Sequence, residues 1–269
     1  MLERVTFSNG VVAYVSPLLR AASVPHAFST RVGGVSGGPF ATLNLGNPAG
    51  AAQQDSTENI SENYRRLHAA IGCEGRRRVF AHQVHGACVL DPATAPVTDT
   101  IHGGSEIGKG DALASDDPAL LLSVRTADCV PVLLADADGR RVAAIHAGWR
   151  GVIAGAVTAA LSTFARPAAV LAAIGPSIGP DNFEVGEDVL AAFRAAFADP
   201  PIRLAAGGKG YVDLKRAIAM QLNAAGVARI DSTDRCTVTH SDEFFSHRRD
   251  RGVTGRMATV IGARSGGAA

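Results

Sequence analysis

Several things are scarce in this sequence. Four cysteines (Cys73, Cys88, Cys129 and Cys236) are spread through 269 residues, with no Cys-x-x-Cys pair. That excludes a disulfide-stapled miniature fold and a compact zinc ribbon, and reduced thiols are expected. Aromatic residues make up only 5%, so a core has to be assembled from Ala, Val, Leu and Ile. Charge of one sign is not in excess: the formal net charge is +1. A broad basic surface for nucleic acid or acidic lipid is therefore excluded, and neither is expected as a partner. No run approaches the ~20 apolar residues of a membrane helix. The start, Met1-Leu2-Glu3-Arg4-Val5, lacks the basic stretch and apolar segment of a secretory leader, so a cytoplasmic location is expected. The oligomeric state is not readable from the sequence.

A hydrophobic content of 46% supplies a core of ordinary size. With no internal repeat and no Pro- or Ser-rich linker, residues 1–269 read as one domain with a tail disordered from about residue 264. Strand-type runs recur at Val11–Val15, Val79–Val84, Leu120–Val124, Val130–Ala135, Val142–His146, Ala169–Ile174 and Met257–Ile261. Ser56-Thr57-Glu58 predicts the start of a helix running to about Ala70 and stopped by Gly72. Ile153, Val157 and Leu161 share one helical face, as do Leu214, Ile218 and Leu222. A further helix is predicted over Glu187–Ala198. Three consecutive strand runs, from Leu120 to His146, are joined too closely for intervening helices. They exclude a purely βαβ-wound parallel sheet and predict hairpins or antiparallel neighbours. The basic run Arg76-Arg77-Arg78 reads as a solvated loop in preference to a phosphate clamp.

Chemistry-bearing residues gather at strand ends. Val84-His85-Gly86 closes one strand pattern, Thr126-Ala127-Asp128-Cys129 lies between two, and His146-Ala147-Gly148-Trp149-Arg150-Gly151 leads from a strand into a helix. Two imidazoles and a thiolate suit zinc or copper, and three protein ligands leave a position open for water or substrate. The wide separations match no compact finger. Cys129 as a buried small hydrophobe, or as a nucleophile with His146 as base, are the competing readings. His82 lies three residues before His85; an i, i+3 pair on a strand faces opposite ways, so His82 is not grouped with the ligands. Arg150 and the turn before its helix form a candidate anion site. Gly33–Gly38 is a loop with neither a Walker nor a Rossmann pattern, and reads as a plain loop before a phosphate cradle. Asp111 is a candidate general acid/base or the partner of a ligating histidine. Trp149 is a packing anchor or a stacking surface, and Cys73, Cys88 and Cys236 are read as structural.

These blocks, in this order, resemble the bacterial YfiH-type laccase-domain family, also called polyphenol oxidase or purine nucleoside phosphorylase-like. The resemblance extends to Phe28–Ser36, Leu43-Asn44-Leu45-Gly46, Ala173–Pro180, Phe244–Asp250 and Thr254-Gly255-Arg256. It implies an α+β single domain of mixed β-sheets packed in layers with α-helices outside (α/β/β/α). It also implies a metal, usually zinc, with copper as the alternative, on His85, Cys129 and His146. The implied chemistry is phosphorolysis of adenosine, inosine and methylthioadenosine, with adenosine deamination beside it. Where the family usually carries Tyr this chain has His247, and where it carries paired Cys this chain has Asp181-Asn182. Losing two soft ligands favours zinc over a multi-copper centre.

On this reading the partners are a nucleoside and phosphate. His85, Cys129, His146 and Asp111 are the expected catalytic residues. Arg31, Arg125 and Arg150 are candidate phosphate ligands, because a guanidinium fork matches phosphate geometry, and Asn44 is grouped with them. The alternatives are a peptidoglycan-editing hydrolase acting on cytoplasmic muropeptide precursors, a copper polyphenol oxidase, and a non-catalytic metal- or nucleoside-binding module.

Overall fold

A computed structural model describes residues 1–48, 50 and 52–265. The frayed tail expected at 266–269 lies outside them, whereas Arg264 donates its backbone N–H to Gly139 at 2.7 Å. The strands form an eight-stranded and a six-stranded mixed sheet, with a small three-stranded sheet beside them. In the large sheet the order is Glu3–Thr6, Val12–Val15, His26–Ser29, Met257–Ile261, Leu120–Thr126, Arg77–His82, Gly104–Lys109, Asp99–Ile101. The second sheet runs Arg229–Asp231, Leu171–Ile174, Val130–Ala135, Val142–Ala147, Ala112–Ser115, Val89–Leu90.

The period-2 alternation of strands stacks these sheets. Along Leu120–Thr126, Leu122 and Val124 face the space between the sheets, where they meet Leu133, Ala144 and Ala173. Leu121 points the other way, to Ile60, Tyr64 and Leu67 of the helix Thr57–Ala70. Val130, Val132 and Leu134 face the helices on the far side, Ala156–Leu161, Glu187–Ala196 and Leu214–Ala224. Helix, sheet, sheet, helices is the resulting order: a mixed α+β single domain with α/β/β/α layers. Small and branched aliphatics fill all three interfaces. Among the described residues no helix is long and apolar enough to cross a membrane.

Local chemistry sets the helix limits. The Ser56 hydroxyl accepts from Asn59 N–H at 3.1 Å and Asp213 caps Arg216 N–H at 2.9 Å, each satisfying a donor that the helix leaves unpaired. The face shared by Ile153, Val157 and Leu161 is not one helix. Trp149–Ile153 and Ala156–Leu161 are separate, because Gly155 adopts φ +77° between them. The strand expected at Val79–Val84 runs Arg77–His82 instead and ends before a turn in which His85 has φ +62°. The loop reading of the basic run is also corrected: Arg77 and Arg78 lie in that strand, and Arg78 is buried.

The three closely spaced runs divide in an unexpected way. Val130–Ala135 and Val142–Ala147 are an antiparallel hairpin, but Leu120–Thr126 belongs to the other sheet. The chain therefore crosses from sheet to sheet at Ala127–Cys129. It crosses again at Gly110-Asp111, between Gly104–Lys109 and Ala112–Ser115.

Candidate metal and substrate site

The two crossings bring the candidate ligands together. His85 follows a strand of the large sheet, Cys129 sits in one crossing, and His146 is the next-to-last residue of the second-sheet strand Val142–Ala147. The ligand atoms of His85, Cys129 and His146 all lie within 4.8 Å of one another. The two imidazole rings meet edge to face, centroids 4.9 Å apart. Gly148 makes room for them: a Cβ there would stand 3.0 Å from Cys129 Sγ and 3.0 Å from His85 Cδ2. Asp128, at φ +102°, turns the chain so that Cys129 faces the histidines.

Asp111 orients this set from behind. Its buried carboxylate accepts from the N–H groups of Val84 (3.2 Å), His85 (2.9 Å) and Gly86 (2.6 Å), and from His146 Nδ1 at 2.8 Å. A carboxylate only accepts, so the His146 proton sits on Nδ1 and Nε2 is left for a ligand. Burial works against ionisation of Asp111, but His146 and these N–H groups hold its carboxyl below the usual range. Burial likewise pushes the Cys129 thiol up and the His146 imidazolium down. Their mutual attraction prevails: the thiol falls to about 6 and the imidazole rises to about 9. A thiolate beside two imidazoles, one fixed in its tautomer, is a donor set that fits a single zinc ion. Among the described residues this is the one group of three or more such side chains placed to hold an ion.

The set opens into a cavity of about 450 Å³. Its walls combine apolar surface from Trp149, Ile178, Phe183 and Leu214 with the guanidiniums of Arg125, Arg150, Arg248 and Arg256. Arg150 lies 4.4 Å over the Trp149 ring and Arg248 lies 5.5 Å over Phe183. Arg125 is held by Gln83, whose side-chain amide exchanges two 2.8 Å hydrogen bonds with the Arg125 backbone.

Not every expected residue is here. Arg31 does not line the cavity. Its Nε donates to Ala41 O at 2.6 Å, another nitrogen donates to Ser241 O, and the guanidinium rests on Phe245, so the fold holds it away from the cavity. Asn44 is buried elsewhere, donating to Asp55 and accepting from Gly46 and Arg256 N–H. It reaches the site only through the backbone of Arg256. Asp111 is behind the ligands, not on the cavity wall, which does not suit a general acid. The Gly33–Gly38 loop is not a phosphate cradle: Gly33 and Gly34 N–H donate to Thr42 Oγ1 and Val35 N–H to Asn63. Cys73 and Cys236 are buried, whereas Cys88 is exposed. His82 is exposed on the cavity rim. His247 also lines the cavity, while Asp181 pairs with Arg203 and Asn182 contacts Cys236, away from the ligand set.

Sequence reasoning missed Arg248, Arg256 and Asp128 as cavity residues. Asp128 accepts from Thr237 Oγ1 at 2.5 Å and from Arg248 N–H at 2.7 Å, which fastens the C-terminal segment against the ligand turn. The one available signal was the presence of Arg248 and Arg256 in blocks that resemble the family.

Residues 25–264 match the family model described as multi-copper polyphenol oxidoreductase laccase. The chain belongs to this family. It is 42% identical over 252 residues to a Deinococcus radiodurans protein named purine nucleoside phosphorylase, covering 91% of this chain and 92% of that one. It is 41% identical over 235 residues to the Escherichia coli purine nucleoside phosphorylase YfiH, covering 87% and 91%. The crystal structure of YlmD from Geobacillus stearothermophilus superposes with a TM-score of 0.83 at 34% identity, over 97% of this chain and 99% of that one. A Neisseria meningitidis crystal structure described as DUF152 gives 0.82 at 33% identity, over 95% and 99%.

Proposed function

We propose that this chain is a metal-dependent purine nucleoside phosphorylase, converting adenosine, inosine and methylthioadenosine with phosphate into base and ribose 1-phosphate. Deamination of adenosine is proposed as a side activity of the same site. The observation that carries the reading is the joining, in one cavity, of the His85–Cys129–His146 set to apolar surface and four arginines. A cavity of about 450 Å³ is in the range that holds a small ligand. Relatives over most of the chain's length bear the purine nucleoside phosphorylase name.

His85, Cys129 and His146 would hold the ion, and zinc is the proposed metal. When bound, it would supply Lewis-acid polarisation of a substrate atom. The remaining work falls to the chain. Trp149 and Phe183 offer faces to a flat base, while guanidiniums from Arg125, Arg150, Arg248 and Arg256 offer forks to phosphate. Attack of phosphate at C1′ breaks the glycosidic bond as positive charge grows on the ribose, so an oriented, charge-compensated phosphate lowers the barrier. Asp111 keeps Nδ1 of His146 protonated and its ring still. Arg31 and Asn44 are assigned to the fold.

The test incubates metal-analysed protein with adenosine, with and without phosphate, and follows adenine, inosine and ribose 1-phosphate. Phosphate-dependent adenine release that disappears in a folded Cys129→Ala variant is expected. Retained turnover in that variant, or turnover of a muropeptide precursor with none of nucleoside, would overturn the reading.

A further inference from the structure

A departing purine needs more than a nucleophile. As a phosphate oxygen bonds to C1′ and the C1′–N9 bond breaks, the bonding pair leaves with the base and spreads from N9 onto N7. A proton delivered to N7 lets the base leave neutral, and general acid catalysis of this kind is worth about 10²- to 10⁴-fold. Phosphorolysis in the large cavity therefore calls for a proton donor on its wall.

Most of the titratable groups there are committed to other work. His85, Cys129 and His146 form the ligand set. Asp128 spends both carboxylate oxygens, one on Thr237 Oγ1 and one on Arg248 N–H. The guanidiniums of Arg125, Arg150, Arg248 and Arg256 do not give up their protons. Two lining imidazoles are left among the described residues, His82 and His247. No hydrogen bond among the described residues engages a ring nitrogen of either one.

Their supports differ. His82 is the last residue of the strand Arg77–His82, exposed at the rim. His247 opens a turn that is fastened at several points. Arg248 N–H donates to Asp128, the residue before Cys129, at 2.7 Å. Arg249 N–H donates to Ser246 Oγ at 3.1 Å, and Gly252 N–H to His247 O at 3.1 Å. Gly252 has φ +89°, and a Cβ there would stand 3.4 Å from His247 Cε1, so glycine both permits the turn and leaves room for the imidazole. The Arg248 guanidinium also lies 5.5 Å over Phe183, one of the flat faces offered to the base. Through Arg248 the turn is tied to both the ligand turn and the Phe183 wall.

We propose that His247 is the general acid of the phosphorolysis, its imidazolium giving a proton to N7 of the departing purine while phosphate takes C1′. Histidine is the side chain whose charge changes most readily near neutral pH. Phosphate enters as HPO₄²⁻ and ends as the ribose 1-phosphate dianion. The proton it loses restores the imidazolium through solvent, to which the exposed ring has access.

This assignment rests on the phosphorylase reading, and its test separates the two. The full metal-loaded chain is given phosphate with inosine, with 7-methylinosine or with 4-nitrophenyl β-riboside, and release of the leaving group is followed above its spontaneous rate. The last two need no proton: methylated N7 already carries the charge, and nitrophenolate is stable as an anion. His247 is exposed, so His247→Gln and His247→Phe do not endanger the core. Both variants are expected to lose inosine turnover by about 100-fold or more, while turnover of the two proton-independent substrates stays within about threefold of wild type. Equal loss on all substrates, no loss on any, or the selective loss appearing in His82→Gln instead overturns the proposal and leaves the phosphorylase reading standing. Absence of phosphate-dependent base release from inosine by the wild type removes that reading and this assignment with it.

Discussion

The Asp111 carboxylate is tolerated in the interior because Val84, His85, Gly86 and His146 all donate to it. An amide cannot replace it: the NH₂ of Asn would face donors. Asp111→Asn is therefore expected to lower metal affinity by about 10- to 100-fold, measured by competition with a chromogenic chelator. Unchanged affinity would show that His146 holds its tautomer unaided. His26 makes a different prediction. It is buried, accepts from Ser16 N–H through Nε2 at 2.7 Å, and its Nδ1 lies 2.8 Å from Val24 O, so it is built to be neutral. Burial lowers it from 6.5 to about 4. The unfolded chain takes up this proton first, so the contribution is complete above pH 6.5 and is lost as pH falls from there toward about 4. The loss is on the order of 3 kcal/mol. About 2 kcal/mol of it falls between pH 7 and pH 5, and urea unfolding at those two pH values should show that share in wild type and not in His26→Gln; equal slopes would refute it. At this scale the sequence was legible where residue type alone limits the chemistry. His85, Cys129 and His146, singled out as candidate ligands, are brought together in space. Arg31 and Asn44 misled, because a sequence shows that a side chain has donors but not which carbonyl takes them.

Strand ends and the turns after them position the site. Gly148 joins the strand Val142–Ala147 to the helix Trp149–Ile153 with φ −73°, a conformation that alanine accepts. The obstacle to a methyl group there is its contact, at 3.0 Å, with Cys129 Sγ and His85 Cδ2. Gly148→Ala is expected to leave Tm nearly unchanged while turnover falls by about 10- to 100-fold, since small displacements of reacting groups are costly. Steady-state kinetics beside a thermal melt checks this, and full turnover would mean that the ligands can shift without harm. Periodicity located the helix Leu214–Ala224 well, because burial of one face imposes it: Leu214, Ile218 and Leu222 are all buried. It missed the break at Gly155, where the buried face continues across two helices and the glycine alone redirects the axis.

Across the whole molecule, the ligands link the two sheets. His85 hangs from the large sheet, His146 from the second, and Cys129 from the segment between. An ion bound there favours only the assembled state, so stability should follow metal concentration. Free metal at a hundredfold its Kd is expected to add about 2.7 kcal/mol. Scanning calorimetry with metal and with a chelator should show the Tm difference in wild type and none in Cys129→Ala. A metal effect that persisted in the variant would place the ion elsewhere.

Alternation and spacing in the sequence by themselves determined the mixed α and β class, the helix faces and the residue types available for a metal, because burial and ligand chemistry act residue by residue. The runs around Leu120, Val130 and Val142 were each recognisable as strands. Their assignment to two sheets was decided only by tertiary packing, since alternation records which face of a strand is buried and not which strand lies beside it. The same holds for the site. Cys129 lies beside His85 and His146 because the chain changes sheets at Ala127–Cys129, and Arg248 and Arg256 reach the cavity because Asp128 and Asn44 hold their backbones there.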